Sequence, residues 1–202
     1  MTGRVLRTTR IYDGRVVSLR VDEVALPSGR TGVREIVEHR GAVAVVPLAE
    51  NGDVFLVRQF REAAGEELLE IPAGTLEPGE AVDDALDREL AEEIGLRGRR
   101  YDRLHAFYPA PGVLTEVVHL FLATELEPHR LDAEEEDLTV IRLPMPEALA
   151  AVASGEIRDA KSIIGLLLAA ERVAPVRAVA GGVRAAPGAA KTPGRPEQLP
   201  PQ

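Results

Sequence analysis

The sequence predicts an α/β fold in which a mixed β-sheet lies between helices and follows a β-rich N-terminal segment. Short apolar runs of the strand type come first, a helical pattern follows them, and two further helical patterns close the folded part. The strand patterns occur in clusters rather than in regular alternation with helices. This arrangement favours a mixed sheet over a purely parallel one.

Four strands are predicted towards the N-terminus, and turn residues separate them. A Pro-Ser-Gly turn at 27–29 divides the first two, and Asn51-Gly52 between the last two is a strong hairpin signal. The predicted strands span residues 16–25, 32–38, 42–48 and 54–60.

A helix is predicted over residues 81–94. It follows a Pro-Gly-Glu sequence, and Val82, Leu86 and Leu90 repeat at helical spacing on one face. Gly95 is expected to end the helix, because glycine just past the last turn accepts the left-handed backbone. Three more strands and two helices follow, with the strands at 100–108, 117–124 and 138–143 and the helices at 146–153 and 160–172.

Composition divides the chain into three parts: a β-rich segment (1–40), a main domain (41–173) and a tail (174–202). The tail is rich in Pro, Gly and Ala without apolar periodicity, so it is predicted to be disordered. It holds four basic residues and one acidic residue, and the net charge of −9 therefore arises in the body. An acidic body argues against nucleic-acid binding and leaves metal-mediated phosphate binding open.

Several chemistries are excluded by composition. The chain has no cysteine, which excludes a thiolate metal site, a catalytic thiol and a disulfide scaffold. Lys161 and Lys191 are the only lysines, and no serine lies in a G-x-S-x-G turn, so lysine and serine chemistry have little support. No apolar run approaches the roughly 20 residues of a membrane span, and we expect a cytoplasmic protein without membrane contact.

The predicted helix carries three carboxylates on one face. Glu89, Glu92 and Glu93 stand at i, i+3 and i+4, within about 100° of arc. Such crowding is mildly destabilising unless positive charge lies between the carboxylates, and ligands that offer only oxygen suit Mg²⁺ or Mn²⁺. Taken alone, the pattern is more typical of a solvated acidic face, and the surrounding spacing has to decide.

That spacing matches a long motif. Residues 74–96, GTLEPGEAVDDALDRELAEEIGL, fit G-x5-E-x7-R-E-U-x-E-E-x-G-U at every fixed position, where U is apolar. This pattern is the signature of the Nudix hydrolase family, which the chain resembles. The resemblance implies a Nudix-type α/β/α sandwich and the attack of water on a nucleoside diphosphate linked to another group.

The resemblance also implies a metal site. It makes Glu89 and Glu93 the first-choice ligands, with Glu92 ligating directly or through water. The main-chain carbonyl of Ala73 and the carboxylate of Glu136 are further candidate ligands. Two or three Mg²⁺ ions are expected, and Mn²⁺ is an alternative metal.

Other residues are expected to shape the motif. Gly74 and Gly79 permit the tight loop before the helix, because they lack a Cβ atom. Glu80 and Arg88 are expected to pair within the unit of loop and helix. Gly95 completes the structural set at the end of the helix.

Stretches outside the motif resemble the ADP-ribose pyrophosphatase branch of the family. They are REIVEH at 34–39 with AVAV at 42–45, VRQFR at 57–61 and LEIPAG at 69–74. A proline about 15 residues past the motif marks that branch, and Pro111 occupies this position here. The loop often reads Ser-Pro-Gly in the branch, whereas this chain has Ala-Pro-Gly. The resemblance extends from about residue 12 to about residue 170.

This resemblance implies a set of substrate contacts. Arg61 would bind the diphosphate, since a guanidinium suits phosphate oxygens. Arg34 and Glu35 would lie near the adenine, and Glu116 would face the terminal ribose. The full set of candidates is Arg34, Glu35, Arg61, Pro111, Gly112 and Glu116.

The acidic loop at 132–137 is the candidate source of the catalytic base. A charge run of this kind is usually only a solvated loop. In the branch that the chain resembles, however, a glutamate of the corresponding loop removes the proton from the attacking water. Glu134 is the candidate base and Glu136 a further catalytic residue and metal ligand, with Glu135 as the alternative for either role.

Together these features predict Mg²⁺-dependent hydrolysis of ADP-ribose to AMP and ribose 5-phosphate. Another nucleotide-sugar, a dinucleotide or a damaged nucleoside triphosphate are alternative substrates. A Nudix-fold regulatory module that binds nucleotides without catalysis is an alternative from another class, which the intact acidic cluster disfavours. The resemblance further implies a homodimer in which the N-terminal strands complete the substrate site of the partner.

Overall fold

The computed structural model describes residues 4–129 and 137–174. The predicted tail lies outside these ranges from residue 175 onward. None of the three helices in the described ranges has the length and hydropathy that a membrane crossing requires. The elements are β1 (Arg4–Asp13), β2 (Val17–Ala25), β3 (Thr31–His39), β4 (Ala42–Pro47), β5 (Asp53–Arg61), β6 (Glu66–Glu70), β7 (Ala73–Thr75), α1 (Val82–Ile94), β8 (Leu96–Phe107), β9 (Val118–Pro128), β10 (Leu138–Pro144), α2 (Met145–Ser154) and α3 (Ala160–Val173).

The centre of the fold is a mixed sheet of four strands in the order β7-β4-β9-β8. Strand β4 runs parallel to β9 and antiparallel to β7, and β8 pairs antiparallel with β9. All six residues of β4 are buried, as expected for a central strand that is covered on both faces.

Helices cover both faces of this sheet. Val43 and Val45 of β4 pack in one core cluster with Leu86 and Leu90 of α1. The alternate residues of β4 belong to a second cluster, which α2, α3 and strands from a second sheet share. The prediction of an α/β/α sandwich with a mixed sheet is therefore confirmed.

The second sheet has the order β10-β5-β6 and is antiparallel. Asn51-Gly52 does form a turn, but the strands on its two sides do not pair along their length as a hairpin would. Strands β4 and β5 enter different sheets, and only an isolated bridge between Leu48 and Val54 joins them. The turn signal fixed the reversal of the chain but could not specify the pairing beyond it.

The N-terminal strands form a separate antiparallel sheet in the order β1-β2-β3. Its connection to the main domain runs through β3, where Val37 donates its N–H to Val113 O at 2.8 Å and accepts from Thr115 N at 3.0 Å. Several large apolar side chains of this sheet are exposed, namely Val5, Leu6, Ile11, Tyr12 and Val33.

Three strands were not predicted, and each lacks the pattern that would have indicated it. Strand β1 has nearly every residue exposed, so no alternation of buried and exposed positions marks it. Strand β6 reads Glu-Glu-Leu-Leu-Glu, and β7 has only three residues. The long-range partners of these strands, rather than their own propensity, decide their conformation.

Candidate active site

An open cavity of about 700 Å³ lies beside α1, the end of β5 and the start of α3. Its wall gathers residues from sequence positions 15 to 161. Eight of the residues predicted for the site line it, namely Arg61, Ala73, Gly74, Arg88, Glu89, Glu92, Glu93 and Glu116.

Arg88 supplies the positive charge among the carboxylates of α1. Its Nη1 donates to Glu89 Oε1 at 2.8 Å and to Glu92 Oε2 at 3.0 Å. Its Nε and Nη2 donate to the two carboxylate oxygens of Glu80 at 2.8 and 2.9 Å. The hydrogen bond with Glu80 is the largest cause of a raised pKa of Arg88, and it lowers the pKa of Glu80. One guanidinium thus binds three carboxylates.

Helix α1 is also joined to strand β7, which precedes it in the chain. The Ala73 N–H donates to Glu93 Oε2 at 3.1 Å, and both Glu89 and Glu93 are only 5% exposed. A Cβ atom on Gly74 would lie 1.9 Å from Glu89 Oε1, so the Glu89 carboxylate would have to move. Glycine at position 74 therefore provides the space for the Glu89 carboxylate. At the other end of α1, Gly95 adopts φ 67° and donates its N–H to Ala91 O.

Substitution of Gly74 by alanine is expected to lower kcat of the proposed hydrolysis by about 100-fold, since displacement of a reacting group by about 1 Å can cost that much. The new Cβ would push the Glu89 carboxylate out of its position, while the backbone of β7 needs no left-handed conformation. Steady-state kinetics with the folded fraction determined by circular dichroism would measure the effect.

The matched control is Gly52→Ala in the turn between β4 and β5. Gly52 has φ 87°, and a Cβ atom at this position would have no neighbour within 4 Å, so alanine strains the backbone there without touching the cavity. Gly52→Ala should lower stability by about 1 kcal/mol and leave kcat per folded molecule unchanged. Equal activity loss in both variants would contradict a specific role of Gly74.

The donor chemistry of the α1 face fits a hard divalent cation. Its carboxylates offer oxygen only, and three of them line one open cavity beside the main chain of Ala73. Within residues 4–129 and 137–174, no three histidine or acidic side chains converge tightly enough to hold one ion as they stand. Arg88 already occupies two of the carboxylates, so a cation at this face competes with its guanidinium.

A second charged cluster lies where β5 and β6 meet α3. Glu70 is 2% exposed and accepts from Arg61 Nε at 3.1 Å, from Arg61 Nη2 at 2.7 Å and from Lys161 Nζ at 2.6 Å. Burial raises the pKa of Glu70, but the hydrogen bonds and charges of Arg61 and Lys161 outweigh it, and the net pKa is lowered. Glu70 is therefore a carboxylate anion in the folded protein at neutral pH.

The variant Glu70→Gln is expected to be less stable than the wild type by about 2–3 kcal/mol at neutral pH, because the side chains of Arg61 and Lys161 lose their buried anionic partner. The difference should be complete above the usual pKa of a carboxyl group. It should shrink as the pH falls through the lowered pKa of folded Glu70, since the protonated side chain then resembles glutamine. Urea unfolding of both proteins from pH 7 to about pH 3 would measure it.

Glu66→Gln on the same strand is the control, because its ion pair with Arg158 is exposed and should contribute below about 1 kcal/mol at every pH. A stability difference for Glu70→Gln that did not change with pH would contradict an ionised Glu70.

Four predicted substrate contacts do not line the cavity of their own chain. Arg34 and Glu35 lie on β3, where they pair with β2 in the N-terminal sheet and are exposed. Pro111 and Gly112 lie in the loop after β8, also outside the cavity wall. Strand β3 comes near the cavity at its last residue, His39, which lies beside the cavity-lining Glu116, whereas Arg34 and Glu35 stand earlier on the strand. The candidate base Glu134, its alternative Glu135 and the candidate ligand Glu136 fall outside the described residues.

Five polar residues of the cavity wall were not among the predicted site residues, namely Arg15, Gln59, Thr75, Asp159 and Lys161. Lys161 had a usable signal, because it is one of two lysines in the chain and stands at the start of a predicted helix.

The predicted substrate contact Glu116 has a partner from a distant segment. One of its carboxylate oxygens lies 3.5 Å from His39 Nδ1, and the side chains of Glu116 and His39 are 19% and 9% exposed. Contacts of this kind between distant segments have no signature in one sequence.

The structure is thus an α/β/α sandwich with an open cavity. The carboxylates of α1 line this cavity together with the basic side chains of Arg61 and Lys161. The family model for the NUDIX domain matches residues 38–164. The chain belongs to this family, and the prediction of a Nudix hydrolase is confirmed.

Similar proteins extend over most of the chain. An ADP-ribose pyrophosphatase of Bacillus subtilis is 40% identical over 163 residues, which cover 79% of this chain and 88% of that protein. A methanol dehydrogenase activator of Bacillus methanolicus is 38% identical over 166 residues, which cover 81% and 90%. The crystal structure of an ADP compounds hydrolase superposes with a TM-score of 0.76 over 85% of this chain and 94% of that chain. At 23% identity, this likeness shows the fold.

Proposed function

We propose that this protein hydrolyses the diphosphate of ADP-ribose to AMP and ribose 5-phosphate with Mg²⁺. The observation that carries the proposal is the cavity, which brings the carboxylates of α1 together with the guanidinium of Arg61. Acidic groups for a cation and a basic group for phosphate are what a diphosphate hydrolase needs. The similarity to an ADP-ribose pyrophosphatase supports this choice of substrate.

Some residues of the cavity would bind the metal, and others would bind the phosphate groups. Glu89, Glu92 and Glu93 would hold the metal with the carbonyl of Ala73. Nudix hydrolases generally use such a divalent ion, and Mg²⁺ would neutralise the diphosphate and activate water. Arg61 would bind the phosphate oxygens and orient the diphosphate along the cavity.

The oxygen of water forms a new bond to one phosphorus of the diphosphate, and the bond between that phosphorus and the bridging oxygen breaks. Each product therefore keeps one phosphate. A carboxylate must take the proton of the attacking water. Glu134 is proposed for this role, with Glu135 as the alternative, and Glu136 as a further metal ligand. The site is expected to bind two or three Mg²⁺ ions.

The test is a substrate panel with purified protein and Mg²⁺. ADP-ribose, ADP-glucose, NADH, a diadenosine polyphosphate and 8-oxo-dGTP are incubated separately, and the products are quantified by chromatography. Preference for ADP-ribose with release of AMP is the expected result. Preference for the triphosphate would overturn the proposed substrate, and binding of nucleotides without turnover would indicate a regulatory module instead.

We also propose a cytoplasmic homodimer built through the N-terminal sheet. Its exposed apolar side chains, among them Ile11, Tyr12 and Val33, support an interface with a second copy. Arg34 and Glu35 are exposed on this sheet and do not line the cavity of their own chain, which suits a contribution to the partner's cavity. Light scattering should give twice the chain mass of 21.8 kDa, and a particle of single-chain mass would contradict the dimer.

A further inference from the structure

Two neighbouring side chains at the start of α3 fasten this helix to the end of β6. Ser162 Oγ accepts from Ile71 N at 2.8 Å, and Lys161 Nζ donates to Glu70 Oε2 at 2.6 Å. Ser162 is fully buried, whereas Lys161 lines the cavity. One contact therefore belongs to the core, and the other belongs to the cavity wall.

Lys161 and Arg61 share one oxygen of Glu70. Arg61 Nη2 and Lys161 Nζ both donate to Oε2, and Arg61 Nε donates to Oε1. The hydrogen bonds that Arg61 makes to described residues leave its Nη1 unused. The guanidinium is thus held along one edge by a buried carboxylate, and its other edge is available to a ligand in the cavity.

Within the cluster of Arg61, Glu70, Asp159 and Lys161, the charges balance only when Lys161 is counted. Asp159 Oδ1 accepts from Lys161 Nζ at 2.9 Å and from Ser162 N at 3.1 Å, and Asp159 also lines the cavity. Arg61 and Lys161 together offset Glu70 and Asp159. Without Lys161 this cluster would carry one net negative charge beside a cavity that already contains the carboxylates of α1. A diphosphate would be repelled by that charge.

We propose that Lys161 is a positioning residue for the substrate diphosphate, which acts through Glu70 to hold Arg61 at the cavity wall and offsets the acidic charge there. The inference rests on the proposed function and deepens it by naming a residue that sets affinity for the diphosphate. Its effect falls on substrate binding rather than on the chemical step, because the hydrogen bonds of Lys161 to described residues go to Glu70 and Asp159 and not to the α1 carboxylates.

The test compares Lys161→Met with Lys161→Arg in the full chain. Methionine keeps the length and packing but loses the charge, so KM for ADP-ribose should rise on the order of ten-fold while kcat changes less than about three-fold. The affinity for ADP with Mg²⁺, measured by calorimetry, should fall by a similar factor. Arginine keeps the charge and can still reach Glu70, so it should restore most of the affinity.

Ser162→Ala is the matched control, since it removes the hydrogen bond from Ile71 N in the same turn of the helix. It should lower the melting temperature and leave KM and the ADP affinity unchanged. If Ser162→Ala weakened ADP binding as Lys161→Met does, or if Lys161→Met bound ADP normally, the proposal would be overturned. Because ADP binding needs no turnover, weaker binding in Lys161→Met would support the positioning role even if the substrate panel excluded ADP-ribose.

Discussion

Replacement of Glu93 by glutamine is expected to lower kcat of the proposed reaction by about 10²–10³-fold, the loss that follows removal of one preorganised electrostatic group from an active site. Glutamine has the same shape, and its amide oxygen can still accept from the Ala73 N–H, as Glu93 Oε2 does at 3.1 Å. The variant therefore removes one negative charge while the junction between α1 and β7 stays intact. Steady-state kinetics as a function of Mg²⁺ concentration would measure the loss and any raised requirement for metal.

Asp84→Asn is the control for this experiment. Asp84 lies in the first turn of the same helix and is exposed, outside the cavity wall. Its substitution also removes one carboxylate from α1, yet kcat should stay within about two-fold, because Asp84 is exposed to solvent and does not line the cavity, so its charge is well screened from it. Similar losses in the two variants would mean that general acidity of α1, and not Glu93 itself, supports catalysis.

The main domain was largely predictable because its elements carry strong local patterns. Helix α1 repeats apolar residues at helical spacing between a Pro-Gly turn and Gly95, and the structure gives Val82–Ile94 against the predicted 81–94. Strand β4 is a short apolar run and extends over Ala42–Pro47 against the predicted 42–48. Where one element supplies both its own burial pattern and its own end signal, sequence alone is sufficient.

The candidate site was predictable where one helix carries it and less so where distant segments meet. Glu89, Glu92 and Glu93 share a face because of helical geometry, and all three line the cavity. The cluster of Arg61, Glu70 and Lys161 joins residues up to 100 positions apart in sequence, and their proximity depends on how β5, β6 and α3 pack. No spacing rule contains that information.

Removal of Arg88 is expected to have the largest effect on stability, because its guanidinium binds three carboxylates at once. In Arg88→Met, Glu80, Glu89 and Glu92 lose their shared partner, and their mutual repulsion is no longer offset. We expect a loss of about 2–4 kcal/mol in the free energy of unfolding in metal-free buffer, as for other partly buried ion pairs that lose one member. Urea unfolding in the presence of a chelator would measure it.

The response of this variant to Mg²⁺ separates a cation site from a purely structural ion-pair network. If the α1 carboxylates bind metal, Mg²⁺ should stabilise Arg88→Met more than the wild type, because the guanidinium no longer competes for Glu89 and Glu92. Arg97→Met is the control: its exposed pair with Glu127 should contribute below about 1 kcal/mol and respond to Mg²⁺ as the wild type does. An equal rise in melting temperature for Arg88→Met and wild type would show that Arg88 and Mg²⁺ do not compete for these carboxylates. A greater rise in Arg88→Met would mean that the charge supplied by Arg88 in the metal-free fold is replaced by a divalent ion at the same oxygens.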